Sequence, residues 1–372
     1  MKEEMPRPGE STPYTLLPIL ALPLIFILAA ARLAANPASE HLWLKARGRL
    51  IVTSSESDGG ERPFIAAGMA YCRDVIIPAQ DEAVMAFCKE HNLNTVRLTF
   101  YTLYFDNDKS RPIEMQEHIR NHIEPAVAAA RNHGMYVILA CDEHMSDPSV
   151  DGVAVRAWDE AAIQKWVAGW TAVAEYYKGE PRVLGYEFLG EPIGVTFEQM
   201  RSNYARCRRE IRKVDDRHLL ILGANHRSRP GTMQKSWELM PSIMDAPYNN
   251  VAFAFHAYPG EESPVVIQNH VVQFRDAHGV PVLCTQFGAD YQNKSEAECR
   301  KFLAGMHASF AKEDVGWMIW ALRTLVDHPR NSYNAVDQTG LGPPPTYDSC
   351  PYSDLWAPAA RMTASAIPQP KR

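Results

Sequence analysis

The chain has 372 residues, of which 46% are hydrophobic and 22% charged, and this suits one large domain because single barrels routinely exceed the usual domain size. A formal net charge of -6 supplies no basic field for a phosphate backbone, so nucleic acid is excluded as an expected partner and neutral ligands fit better. Eight Trp and fifteen Tyr add rings able to stack on sugar faces, although most aromatics of any globular protein serve its core.

The first feature along the chain is an apolar run from Leu16 to Ala31, preceded by Lys2 and Arg7. It reads as an export signal or a signal anchor, so residues 1–36 are set apart from a globular domain expected over 37–372. The run is short for a full span, contains Pro18 and Pro23, and ends in Ala29, Ala30 and Ala31, which satisfy a small-residue cleavage site. Against cleavage, the leading segment is long and carries Glu3, Glu4 and Glu10. Both outcomes stay open: a secreted domain, or one anchored to the membrane through this segment, with the domain outside the cytoplasm in either case. Cys72, Cys88, Cys141, Cys207, Cys284, Cys299 and Cys350 show no metal-site spacing, so no zinc or other metal and no cofactor is expected. Several fall in apolar patterns as small hydrophobes, and an odd number leaves at least one thiol unpaired within the chain.

After a polar linker, Leu50 to Thr53 and Pro63 to Ala67 flank the turn-rich Ser54 to Glu61, which predicts an N-terminal β-hairpin closing the bottom of the domain. Strand-length apolar runs follow at Phe64 to Ala70, Thr95 to Phe100, Tyr136 to Cys141, Val183 to Leu189, Leu219 to Gly223, Val251 to Phe255, Val282 to Thr285 and Trp317 to Trp320. Between them, Ile163, Trp166, Trp170, Val173 and Tyr177 recur at helical intervals, as do Phe197, Met200, Tyr204, Cys207, Ile211 and Val214. Thr196 to Gln199 and Ser295 to Glu298 have capping-box spacing, and Gly134 is a helix stop. Eight strand–helix units favour an α/β fold closed as a (β/α)8 TIM barrel over an open doubly wound sheet, and no glycine-rich phosphate loop follows the first strand. The stretch from Asp327 to Ser353, rich in Pro, Gly, Asn and Asp, reads either as an extended eighth loop over the cleft or as a surface excursion held by Tyr347 and Tyr352.

In such a barrel the active site lies at the carboxyl ends of the strands. The residues there are Arg97, the cluster Asp142, Glu143 and His144, then Glu191, His256 with Tyr258, Gln286 and Trp320. Any one of them alone is more often solvated or structural than chemical; their joint placement raises the odds.

At these positions the chain resembles glycoside hydrolase family 5, the cellulase-like family. Val183 to Pro192, ending Gly190-Glu191-Pro192, is similar to its fourth-strand motif, which normally ends Asn-Glu-Pro. Phe255-His256-Ala257-Tyr258 resembles its sixth-strand His-x-Tyr, and Pro281 to Gly288 its seventh-strand segment, normally ending Glu-Phe-Gly. Asn94 to Leu98 and Gly316 to Trp320 resemble its second-strand arginine and eighth-strand tryptophan segments, so the likeness runs roughly from Gly48 to Ala366.

The resemblance implies a cleft for β-linked oligo- or polysaccharides and a retaining mechanism with two carboxyl groups about 5 Å apart. Glu191 matches the acid/base, Trp320 the sugar-stacking floor, and Arg97, His256 and Tyr258, with His144, the groups that position the second carboxylate or bind the sugar. Here the chain departs from the pattern: Gln286 stands at the nucleophile position and Gly190 at that of the asparagine which contacts the sugar 2-hydroxyl. An amide is a very poor nucleophile, and losing the nucleophile costs on the order of 10^3-fold in rate or more. The implied function is therefore glycan recognition with impaired hydrolysis, a pseudoenzyme. The alternative is an active glycosidase with a rewired, inverting mechanism, in which Glu191 is the acid and Asp142, Glu143 or Asp290 the base, the pair standing roughly 6.5 to 9.5 Å apart. A metal-dependent hydrolase carries little weight, because the chain has no close pair of ligands such as His-x-His after the first strand.

Overall fold

The computed structural model describes residues 43–54, 60–72, 81–102, 114–142, 159–192, 195–224, 228, 230, 248–259, 263–288, 295–320 and 353–366, all within one unit, His41–Arg372. The apolar run from Leu16 to Ala31, the stretch from Asp327 up to Tyr352, and Glu143, His144 and Asp290 lie outside the described residues. No helix among the described residues is long and apolar enough to cross a membrane.

Eight strands form a closed, all-parallel barrel: β4 (Ala67–Cys72), β5 (Thr95–Phe100), β6 (Tyr136–Cys141), β7 (Val183–Glu187), β8 (Leu219–Gly223), β9 (Val251–Ala257), β10 (Val282–Phe287) and β11 (Gly316–Ile319). They pair in chain order, and β11 closes the ring on β4 through Trp317, Met318 and Ile319. Strands buried on both faces need near-continuous apolar runs, and this is why the sequence marks them so clearly. On β9, Val251, Phe253 and Phe255 pack outward among the helices, while Ala252 and Ala254 point inward with Ile138, Leu184, Leu219, Ile221, Leu283 and Met318.

The helices fill the crossovers. Those flanking the site are α1 (Asp81–Glu90), then α2 (Met115–His118) running through a π-helical turn into α3 (Glu124–Asn132), and α4 (Glu160–Tyr177) and α5 (Phe197–Ile211). They are followed by α6 (Pro264–Val266), a second π-helical turn and α7 (Gln273–His278), then α8 (Glu296–Glu313) and α9 (Ser353–Ala366). Both expected capping boxes are formed, Thr196 with Gln199 on α5 and Ser295 with Glu298 on α8. Gly134, at φ +67°, supplies the left-handed turn that stops α3.

The bottom of the barrel is closed by a three-stranded antiparallel sheet, β1 (Trp43–Arg47), β2 (Leu50–Ser54) and β3 (Arg62–Phe64), whose Leu44, Ile51 and Phe64 plug the lower barrel core. The hairpin expected at Leu50 is the β2–β3 pair, but the stretch read as a polar linker contributes a third strand. That strand forms because Leu44 is buried and the Ala46 amide donates to Asn250 Oδ1 at 2.8 Å. The run from Phe64 to Ala70 is also not one strand. Asn94 clamps a bend within it, donating to Ile65 O and accepting from the Ala67 amide, each at 2.9 Å, so Phe64 stays with the plug and Ala67 begins the barrel.

A buried polar cluster ties the lower barrel wall together. The Tyr186 hydroxyl donates to Asp215 at 2.6 Å, and His218 Nδ1 lies 2.5 Å from the same carboxylate oxygen. Burial would raise the Asp215 carboxyl, but His218 and Tyr186 outweigh it and hold it at about 2.

Candidate functional site

The upper barrel interior is polar. Arg97 of β5 and Glu187 of β7 are fully buried, and the Arg97 Nε donates to Glu187 Oε2 at 2.6 Å. Thr285 of β10 donates to the other Glu187 oxygen at 2.8 Å, and His256 Nε2 of β9 stands 3.8 Å from it. Four strands are thus joined by one buried carboxylate. Burial by itself would raise Glu187, yet the Arg97 charge, the nearby His256 ring and the Arg97 hydrogen bond bring it down to about 2.

The rim stands on this layer. His256 Nδ1 lies 3.0 Å from Glu191 Oε1, so one imidazole spans two carboxylates, Glu187 inside and Glu191 above, whose side chain is 15% exposed. Burial lowers the His256 value, and the neighbouring Glu187 carboxylate together with the hydrogen bond to Glu191 overrides that and leaves it raised.

Gln286 reaches the rim through a break in the ladder. The β9–β10 register shifts between Cys284 and Gln286, so that Cys284 faces Phe255 and Gln286 faces His256. The extra residue frees Thr285 and Gln286 from strict alternation: Thr285 bonds Glu187, while Gln286 Nε2 donates to the Tyr258 hydroxyl at 2.6 Å. Burial and the nearby Glu191 charge push the Tyr258 hydroxyl well above its usual range, so it stays protonated. Gln286, Tyr258, His256 and Glu191 are brought together through adjacent strands β9 and β10 and the segment following β7.

Gly190 lies in that segment, its amide donating to Cys141 O at 2.9 Å. A Cβ there would meet Arg97 Nη2 at 2.5 Å and Asp142 Oδ1 at 3.2 Å. Only a bare Cα leaves the guanidinium its place. Asp142 follows β6, is 14% exposed, and has Arg97 Nη2 at 3.8 Å as its charged neighbour; its carboxylate makes no hydrogen bond among the described residues. Trp320, half-buried, follows β11, packs on Ala70 and donates its amide to Phe287 O at 2.8 Å.

Of the residues marked in the sequence, Arg97, Asp142, Gly190, Glu191, His256, Tyr258, Gln286 and Trp320 all belong to the carboxyl end of the barrel, with Arg97 beneath the rim rather than on it. Glu143, His144 and Asp290 lie outside the described residues. Glu187, which organises the site, is not among the residues marked in the sequence. The signal was present: a carboxylate inside an apolar run must be paired, and Arg97 is the matching charge inside another such run. Among the described residues no group of His, Cys, Asp or Glu has the arrangement of a metal centre, and Cys88, Cys141, Cys207, Cys284 and Cys299 are free thiols, all buried.

A closed parallel barrel of eight strands alternating with helices defines a (β/α)8 barrel, and a partly exposed glutamate, a histidine, a tyrosine and a tryptophan stand at the carboxyl ends of its strands. Its sequence family is specific. The model for cellulase, glycosyl hydrolase family 5, matches residues 57–324, and the chain belongs to that family. A β-xylosidase of Phanerodontia chrysosporium is 23% identical over 280 residues, covering 66% of this chain and 56% of the relative. An endoglucanase of Thermobifida fusca is 23% identical over 241 residues, covering 64% and 47% respectively. The chain thus spans about half the length of the curated relatives it matches. Among solved structures, the catalytic domain of a Thermobifida fusca endoglucanase, a glutamate-to-glutamine variant in complex with cellotetraose, superposes with a TM-score of 0.61 at 19% identity, covering 88% of this chain and 99% of that one. At that identity the likeness speaks to the fold.

Proposed function

We propose that this barrel recognises β-linked glycans in the cleft beside Glu191, and that retaining hydrolysis with a nucleophile supplied by the protein is impaired because Gln286 stands at the nucleophile position. One observation carries the reading: the Gln286 side chain donates a hydrogen bond to Tyr258 next to the His256–Glu191 pair. A group that donates from nitrogen offers no negative charge to an anomeric carbon, nor to an oxocarbenium-like transition state. Glycan binding is supported by the family, by Trp320 at the rim, and by the Thermobifida fusca variant, in which an amide replacing a carboxylate accompanies bound cellotetraose. The apolar N-terminal run supports a secreted or membrane-anchored protein with its barrel outside the cytoplasm.

The test compares the full chain with Gln286→Glu on aryl β-glucosides and β-glucan oligosaccharides. A gain on the order of 10^3-fold in kcat is expected. Efficient turnover by the unaltered chain, undiminished in Gln286→Ala, sinks the reading.

A second reading is favoured by Asp142, a partly exposed carboxylate beside Gly190 with no hydrogen bond among the described residues. In it, Asp142 activates water and Glu191 protonates the leaving oxygen, which inverts the anomeric centre. Product stereochemistry decides between inversion and any retaining route.

A further inference from the structure

A site without its own nucleophile still has to supply one to the anomeric carbon if it is to cleave a glycoside, and the substrate is the remaining source. A 2-acetamido group can provide it. Its carbonyl oxygen reaches C1 of its own ring, and the attack is intramolecular, with the entropic advantage that this brings. Such a route asks two things of the protein: a proton donor at the leaving oxygen, and a fixed negative acceptor for the acetamido N–H, where positive charge develops.

The rim offers both. Glu191 is partly exposed and lies 3.0 Å from His256 Nδ1, within reach for a proton to pass between the two groups. Asp142 lies across the bare Gly190, its Oδ1 only 3.2 Å from where a Cβ would stand, closer than ordinary van der Waals contact. Its side chain is 14% exposed, its carboxylate has acceptor capacity that the described residues leave unused, and Arg97 Nη2 stands 3.8 Å from Oδ1. The neutral Gln286 completes the arrangement, since a carboxylate there would compete with, and repel, the acetamido oxygen.

We infer that the cleft takes β-linked 2-acetamido-2-deoxy sugars and hydrolyses them with the acetamido carbonyl as nucleophile, Glu191 as acid/base and Asp142 as the acceptor that orients the acetamide. This rests on the reading that Gln286 replaces a catalytic carboxylate. In the first step the carbonyl oxygen bonds to C1, the C1–O bond to the leaving group breaks with its electron pair on that oxygen, and Glu191 delivers the proton. The sugar becomes a bicyclic oxazolinium whose N–H is held by Asp142. In the second step water bonds to C1, gives its proton to Glu191, and the C1–O bond to the acetamide breaks, restoring the acetamide with retained configuration. One water is consumed and nothing is oxidised or reduced.

The test uses the full chain with aryl β-N-acetylglucosaminides, the matching 2-trifluoroacetamido series, aryl β-glucosides, and a thiazoline mimic of the bicyclic intermediate. The expected result has three parts: kcat/KM for the acetamido sugar exceeds that for the glucoside by about 10^2-fold or more, trifluoroacetylation lowers kcat at least tenfold, and the β-anomer appears first. The thiazoline inhibits the native chain, and Asp142→Asn weakens that inhibition at least tenfold with an unchanged circular dichroism spectrum. The inference is overturned by no turnover of acetamido sugars together with no thiazoline binding, by a rate indifferent to trifluoroacetylation, or by an α-anomer as first product. Efficient cleavage of plain glucosides that survives Gln286→Ala overturns the proposed function itself. An inactive chain that still binds cello-oligosaccharides overturns only this inference.

Discussion

Gln286 Nε2 and the Tyr258 hydroxyl stand 2.6 Å apart, and the amide is the donor. The polarity of that bond follows from the side chain. An ionised carboxylate at the same place would only accept, and the tyrosine would have to turn its proton toward it. In this chain the tyrosine oxygen is the acceptor, leaving its own proton to be directed elsewhere.

Tyr258→Phe therefore removes the acceptor and strands a buried amide, with an expected loss of about 1–3 kcal/mol in unfolding free energy. In the Gln286→Glu background the same change removes a donor to a charged group instead, so the two effects should not add. Urea denaturation of the four proteins checks this. Strict additivity would show that the two side chains do not interact.

The Arg97–Glu187 pair is fully buried on both sides, and such pairs are costly to break singly. Arg97→Met leaves an uncompensated carboxylate in the barrel, and a loss of about 3–5 kcal/mol is expected. Arg97→Met combined with Glu187→Leu should recover much of that loss, because the desolvation cost disappears along with the attraction. Equal instability of the single and double variants would show that the pair holds the rim through its geometry rather than its charge balance.

The site could be read from the sequence only where chemistry and spacing coincide. Glu191, His256, Tyr258 and Gln286 each follow a strand-length apolar run and Trp320 ends one, so their places at the barrel rim were legible from pattern. The role of Glu187 was not, because it is a single charged residue within the strand-length run Val183 to Leu189, and its partner lies 90 residues earlier on β5. The bulge at Thr285 was hidden for a different reason: register between strands is a property of pairing, which no single segment carries. The strand Trp43–Arg47 failed for its charged letters, Lys45 and Arg47, which lie outward while Leu44 alone is buried.

His256 makes the pH dependence specific. Its folded value is raised by Glu187 and Glu191 against the opposing effect of burial, so its contribution to stability is complete below about 6.5 and is lost as pH rises through the folded value. Glu187 acts in the opposite sense, contributing above about 4.3 and losing its contribution as pH falls toward about 2. In NMR titration, Glu191→Gln should lower the His256 value, and each unit lowered removes about 1.4 kcal/mol of the stability that His256 contributes on the acid side. A His256 titration unaffected by Glu191→Gln would show that Glu187 alone sets it.

Gly190 is the residue on which the arrangement of Arg97 and Asp142 depends most directly. The Cβ of Gly190→Ala would stand 2.5 Å from Arg97 Nη2, closer than any real contact, and the guanidinium can yield only by disturbing its Nε bond to Glu187. An overpacking cost of about 1–3 kcal/mol is expected. Arg97→Lys removes the obstructing nitrogen while keeping a positive charge, so the double variant should be less destabilised than the two single changes summed. Loosening Arg97 should also shift the His256 titration, because both groups meet at Glu187. If Gly190→Ala is neutral in urea and leaves His256 untouched, then Arg97 does not fill the space beside Gly190, and the exposed edge of Asp142 is set by something else.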